Sequence, residues 1–124
     1  MPATKSFTEL LDFIRSETDR HLGKLDIPQE PAYLYDPIRY VLTGRGKRLR
    51  PILVHLSGRG FDADPEDLMH AGLAVELLHN FTLVHDDIMD DDNTRHGKSS
   101  VHEKYGNEAA ILVGDSIFTL GQLI

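Results

Sequence analysis

The chain has 124 residues and a mass of 14.0 kDa, with 13 Lys and Arg against 20 Asp and Glu, a net charge of −7, and no cysteine. With 40% apolar and 27% charged residues it reads as one folded domain or a piece of one, and the missing cysteines exclude disulfide scaffolds, thiolate metal sites and thiol nucleophiles. No apolar run approaches the roughly 20 residues that span a bilayer. Nor does Met1-Pro2-Ala3-Thr4-Lys5 have an apolar stretch behind its basic residue, so a cytoplasmic protein without a secretory leader is expected.

Spacing near 3.6 recurs and strand-like alternation never lasts, which predicts an all-α fold. Phe7, Leu10, Leu11 and Ile14 stand at i, i+3, i+4 and i+7 and predict an amphipathic helix over residues 6–22. Gly23, Pro28 and Pro31 then break the chain. Asp36 reads as the N-cap of a short helix, with Pro37 in its first position, Ile38, Val41 and Leu42 on one face, and Gly44 and Gly46 at its end. Pro51 opens a third helix carrying Ile52, Leu53 and Leu56, stopped by Gly58 and Gly60.

Asp64-Pro65 repeats the cap-then-proline signal and starts the longest pattern, with Leu68, Ala71, Val75, Leu78 and Thr82 on one stripe. It runs to about Asp90, roughly 39 Å of helix at 1.5 Å per residue. Residues 91–106 read as a polar loop, after which Asn107 caps a last helix with Val113, Ile117, Leu120 and Ile124 on one side. Five or so apolar-faced helices, the last ending inside its pattern, read as part of a larger bundle. There is no internal repeat.

Two charge clusters stand out. Asp86, Asp87, Asp90, Asp91 and Asp92 put five carboxylates into seven residues. On a helix, Asp86 and Asp90 are about 6 Å apart along the axis, and His79, Leu83, Asp86 and Asp90 fall within about 40° of one another. Like charges at i, i+4 cost a helix a few tenths of a kcal/mol, so such a face is either solvated or neutralised by cations. An all-carboxylate set suits Mg²⁺, which shares its shell with waters and substrate phosphates. An EF-hand from Asp90 is excluded, because its sixth and twelfth positions are Arg95 and Val101. The His85-Asp86 doublet, with His55 and Asp115, leaves open a helical metal-dependent phosphohydrolase.

Arg45, Lys47, Arg48 and Arg50 put four cations into six residues of a glycine-flexed loop that leads into a helix N-terminus. Backbone N–H groups, the helix dipole and basic side chains there suit a phosphate. It is not a P-loop, since GxxxxGK[ST] is absent. Net acidity and the lack of interleaved aromatics argue against nucleic acid. A phosphate loop and a carboxylate Mg²⁺ site together suit a polyphosphate held from two sides.

In order and spacing, Gly46-Lys47-Arg48-Leu49-Arg50-Pro51, His79, Asp86-Asp87-Ile88-Met89-Asp90, Arg95 and Gly97 resemble the first half of a trans-isoprenyl diphosphate synthase, of the polyprenyl synthetase family. The resemblance runs from Tyr40 to about Leu120. It implies an isoprenoid synthase helical bundle around a central cavity, up to three Mg²⁺ ions, and head-to-tail condensation of an allylic diphosphate with isopentenyl diphosphate. It places Asp86, Asp87 and Asp90 as the Mg²⁺ ligands that hold the allylic diphosphate. Lys47, Arg50 and His79 match the isopentenyl diphosphate site, and Arg95 an arginine that grips the allylic diphosphate. Phe81 and Thr82, five and four residues before Asp86, match the positions that set product length. Bulk at the first with a small residue at the second resembles the archaeal-type geranylgeranyl diphosphate synthases.

There are departures. His96 stands where the family carries a second arginine on the isopentenyl side, and it lacks the bidentate fork. Ser99-Ser100-Val101-His102 replaces a more usual Pro-Thr-Val-His. The family also has a second aspartate-rich motif on a later helix, which nothing after Asp92 supplies. Residues 1–124 are therefore expected to be the N-terminal part of one polyprenyl synthetase domain, carrying one wall of its site. Three arrangements follow: a prenyltransferase whose remainder lies elsewhere, a non-catalytic or regulatory subunit paired with a full-length synthase, or a homodimer facing its aspartate motifs across a shared cavity.

Overall fold

A computed structural model of the chain describes residues 6–44, 46–95 and 97–124. Among the described residues its regular elements are all helices apart from one small hairpin.

Helix α1 (Phe7–Gly23) begins where Ser6 caps it, its hydroxyl accepting the Glu9 N–H at 3.1 Å, and it buries Ile14, Thr18 and Leu22. Helix α2 (Ala32–Leu42) starts earlier than the Asp36-Pro37 signal predicts. The Pro31 carbonyl accepts the N–H groups of Leu34 and Tyr35, so the first turn forms before Asp36 is reached. Pro37 therefore lies inside the helix, where it removes a hydrogen bond. Burial of Pro37 and Ile38 in the core offsets that loss, and Asp36 pairs with Arg39 at 3.2 Å instead of capping.

Helix α3 (Leu49–Arg59) opens two residues ahead of Pro51, which occupies a first-turn position where the N–H has no helical partner anyway. Helix α4 (Pro65–Asp90) has the predicted start, with the Asp64 carboxylate accepting the Glu66 N–H at 2.8 Å. Its core face is not the predicted stripe. Leu68, Gly72, Leu73, Glu76, Leu77, Asn80, Val84 and Asp87 are buried, whereas Ala71, Val75, Leu78 and Thr82 are exposed. The helix is apolar on more than one side, and its neighbours decide which side is covered. Gly72 admits Pro51 of α3, whose Cβ would lie 3.3 Å from any side chain added there.

Asp91 ends α4 in the left-handed conformation, at φ 53°, in the place a glycine commonly takes. The segment predicted as a loop holds an antiparallel hairpin of β1 (Thr94–Arg95) and β2 (Lys98–Ser99), with Gly97 at φ 79° in its turn. A short helix α5 (Val101–Tyr105) follows, and Gly106 at φ 93° turns the chain into α6 (Asn107–Leu123). Asn107 is thus the first helical residue rather than the cap. Short range hid these elements, since two-residue strands leave no visible alternation.

Helix α4 is the spine, packed along α6 on one side and α3 on the other. The core joins Leu22, Ile38, Leu42, Leu73, Leu77, Val84, Val113 and Ile117, each nearly or fully removed from water. Burial of such side chains contributes about 1.5–3 kcal/mol apiece. Among the described residues no helix is long and apolar enough to cross a membrane.

Candidate functional site

The basic loop is built around Arg48. Its side chain is buried and radiates three ways: Nε donates to Asp19 Oδ1 of α1 at 2.6 Å, Nη1 to Glu76 Oε2 of α4 at 2.7 Å, and Nη2 to the Gly44 carbonyl at 2.8 Å. Burial alone would lower the guanidinium pKa, but hydrogen bonds to Asp19 and Glu76 outweigh it and hold it above the usual value. Arg48 also takes φ 53°, a left-handed conformation that costs a non-glycine residue about 1–2 kcal/mol. That turn carries the chain abruptly into α3. With Arg48 directed inward, its neighbours Lys47 and Arg50 lie exposed, and the Lys47 carbonyl accepts from Arg15 Nε at 3.2 Å. The four cations of the sequence are therefore not equivalent: one is an anchor, two are available to a ligand, and Arg45 lies outside the described residues. The sequence carried one signal for this, a carboxylate, Glu76, inside the apolar run 73–78.

Lys47 and Arg50 border a cavity of about 230 Å³ between the basic loop, α4 and the hairpin. His79 reaches it from α4, and Arg50 Nη1 lies 3.2 Å from His79 Nε2. Arginine has only donors, so this contact requires the lone pair of a neutral imidazole at Nε2. The predicted trio of Lys47, Arg50 and His79 is thus brought together. His96 lies outside the described residues.

At the far end of the cavity, Asp87 and Arg95 form a two-pronged pair. Arg95 Nε lies 3.3 Å from Asp87 Oδ2, and Arg95 Nη2 donates to Asp87 Oδ1. Asp87 is only 3% exposed. Its hydrogen bond holds the Arg95 pKa above the ordinary value, with further support from Asp92 and Asp86. The three aspartates expected to share Mg²⁺ are thus not equivalent in their surroundings. Asp86 and Asp90 are exposed on the last turn of α4, while Asp87 is turned inward to Arg95, and among the described residues no group of three acidic or imidazole side chains is gathered as a metal cluster. Two carboxylates one turn apart still fit Mg²⁺, which takes one or two protein carboxylates and fills the rest of its shell with water and substrate phosphate. Neither Asp86 nor Asp90 lines the cavity itself.

Behind the aspartates, Phe81 meets the His85 ring edge-on at 4.8 Å and the Phe118 ring at 5.1 Å, closing the contact between α4 and α6. Thr82 is exposed, and its hydroxyl donates to the His79 carbonyl at 2.6 Å. His85 Nε2 lies 3.3 Å from the Ile111 carbonyl and 3.7 Å from Asp115. Its ring fills the space over Gly114, where a Cβ would fall 2.3 Å from Nε2. His55, on α3, is not gathered with His85, Asp86 and Asp115 into a metal cluster. The ligand set expected of a phosphohydrolase is therefore not assembled.

The helical scaffold thus arranges Lys47, Arg50 and Arg95 around one cavity, with a carboxylate-rich helix end beside it. The polyprenyl synthetase family profile matches residues 31–123, and the chain belongs to that family. It is similar to geranylgeranyl diphosphate synthase of Sulfolobus acidocaldarius, with 49% identity over 109 residues, covering 88% of this chain and 32% of that protein. Geranylgeranyl pyrophosphate synthase of Geoglobus acetivorans is 48% identical over 90 residues, 73% of this chain and 28% of its own length. Among solved structures, an FPP/GFPP synthase from Zymomonas mobilis superposes with a TM-score of 0.86 at 35% identity, covering 92% of this chain and 42% of that one. The chain thus spans about a third of the length of the curated relatives it matches.

Proposed function

We propose that these residues form the N-terminal wall of a prenyltransferase site that condenses an allylic diphosphate with isopentenyl diphosphate, head to tail, to geranylgeranyl diphosphate. The observation that carries this reading is the pairing of Lys47, Arg50 and His79 on one side of the cavity with Arg95 on the other, next to Asp86 and Asp90. The family profile over 31–123, in relatives some three times longer, supports a larger domain whose remaining walls lie outside these 124 residues.

In the reaction, the allylic C–O bond breaks and diphosphate leaves with the electron pair. The isopentenyl double bond then attacks the allylic cation, forming a C–C bond, and a proton is lost. Mg²⁺, when bound, supplies positive charge to the departing diphosphate, and Asp86 and Asp90 are the residues to hold it. Arg95 aids the same leaving group: Asp87 occupies one side of its guanidinium, and the remaining N–H groups are free to point at anionic oxygen. Lys47 and Arg50 hold the second diphosphate, with His79 beside Arg50. The apolar flank at Leu83 and Val84 keeps water from the cation. Asp87 acts here by orienting Arg95, and any contribution to metal binding is secondary.

Calorimetric titration of the purified chain with isopentenyl and allylic diphosphates, with and without Mg²⁺, tests this together with a transfer assay. Mg²⁺-dependent binding of the allylic ligand and Mg²⁺-independent binding of isopentenyl diphosphate are expected. Absence of binding for both ligands would sink the proposal. Binding without turnover, restored by adding a synthase partner, favours the paired-subunit arrangement.

Product length follows from Phe81. It packs between the rings of His85 and Phe118, about one turn and a half before Asp86 on the same helix. In a transfer-competent assembly, Phe81→Ala is expected to lengthen the product by one or more five-carbon units. An unchanged product distribution by chromatography would show that another side chain sets the limit.

A further inference from the structure

We propose that Lys98 is a further diphosphate ligand of this cavity, carried on a strand that Tyr40 fixes and facing Arg95 across the hairpin; the inference rests on the diphosphate reading above. The register pairs Arg95 directly with Lys98. Directly opposed residues of an antiparallel ribbon project on the same face, and like charges there destabilise the pair. Both side chains line the same cavity, opposite Lys47 and Arg50. Asp87 neutralises Arg95, but among the described residues no carboxylate forms an ion pair with Lys98. An anion lying between the two strands' cations and the basic loop removes the repulsion.

Tyr40 fixes where Lys98 can reach. Its hydroxyl donates to the carbonyl of Ser99, the next residue, at 2.6 Å, and so ties β2 to α2. The Tyr40 ring is itself clamped, edge-on to Tyr105 at 5.6 Å. Lys104 Nζ stands 4.1 Å from its centroid, whereas Lys98 Nζ stands at 5.8 Å, the outer limit of a cation–π contact. Lys104 therefore holds the ring, and Lys98 is the loosely held cation of the two, positioned at the cavity but not immobilised. A lysine is a compact charge on a flexible stem with three rotatable donors, which suits the rounded oxygen surface of a diphosphate.

The test is calorimetry with inorganic pyrophosphate at low salt on the 124-residue chain, comparing Lys98→Gln, Lys98→Arg and Arg50→Ala. Loss of one charge-assisted contact predicts about five- to tenfold weaker binding for Lys98→Gln, shrinking as salt screens the charge, with Lys98→Arg close to the parent. Lys98 is exposed, so the thermal midpoint is expected to stay unchanged. If Arg50→Ala weakens binding and Lys98→Gln does not, Lys98 is no ligand while the diphosphate reading stands. Equal weakening by Gln and Arg would assign Lys98 a shape role and overturn the proposal. No binding by the parent chain would remove the diphosphate reading and this inference together.

Discussion

Glu76→Ala is expected to destabilise the fold by about 3–5 kcal/mol, the cost of leaving a buried ion without its partner. Arg48 and Glu76 each keep only 4% of their side-chain surface exposed, and Arg48 cannot shed its proton to escape. Its other carboxylate, Asp19, is 53% exposed, so Asp19→Ala should cost only about 0–1 kcal/mol. Urea unfolding midpoints at a constant slope read both values. Equal losses for the two variants would contradict the buried-pair account. The apolar double replacement Arg48→Met with Glu76→Leu separates stability from loop position. Removing both charges together is expected to recover most of the stability, as exchange of a buried pair for packed apolar groups commonly does. Pyrophosphate affinity should stay low in that variant, because nothing then anchors the Gly44 carbonyl and α1 to the turn that presents Lys47 and Arg50.

Asp86→Ala is expected to abolish Mg²⁺-promoted binding of an allylic diphosphate, a loss larger than the roughly 10–100-fold seen when a group merely supporting a metal ligand is removed. Asp86 is exposed, so the fold should survive, and a circular dichroism spectrum like the parent's would show it. Asp87→Ala should behave differently. It frees Arg95 and removes a buried carboxylate, so binding falls while its Mg²⁺ dependence persists. A titration series in Mg²⁺ at fixed ligand distinguishes the two. Identical loss of Mg²⁺ dependence in both variants would make Asp87 a ligand after all, and the inward pair with Arg95 a resting arrangement.

Several features were legible without a structure because they act over short range. Asp64 caps the helix it was expected to cap, since a cap needs only a carboxylate or hydroxyl two or three residues from an unsatisfied N–H. The all-α character followed from helical spacing in the same way. The Asp36-Pro37 signal failed because an equally local competitor, Pro31, started its helix first. The hairpin and α5 were invisible, as two-residue strands and a five-residue helix are too short to show a period.

Chain order and spacing by themselves determined the family, the helical class, and the grouping of Lys47, Arg50, His79 and Arg95 with an aspartate-rich helix end. These are matters of residue type at fixed separation, and they survive in one dimension. Only the tertiary structure decided which of the like charges is used for what. Arg48 and Lys47 are adjacent, yet one is sealed between α1 and α4 and the other is presented to the cavity. Asp86 and Asp87 are adjacent, yet one faces water and the other faces Arg95. The same holds for α4, whose buried side was chosen by Pro51 against Gly72 rather than by its own apolar stripe. Neighbouring residues on a helix or turn point about 100° apart, and which direction is interior depends on the helices packed alongside. That information resides in contacts between segments 28 or more residues apart, such as Arg48 with Glu76 and Arg48 with Asp19.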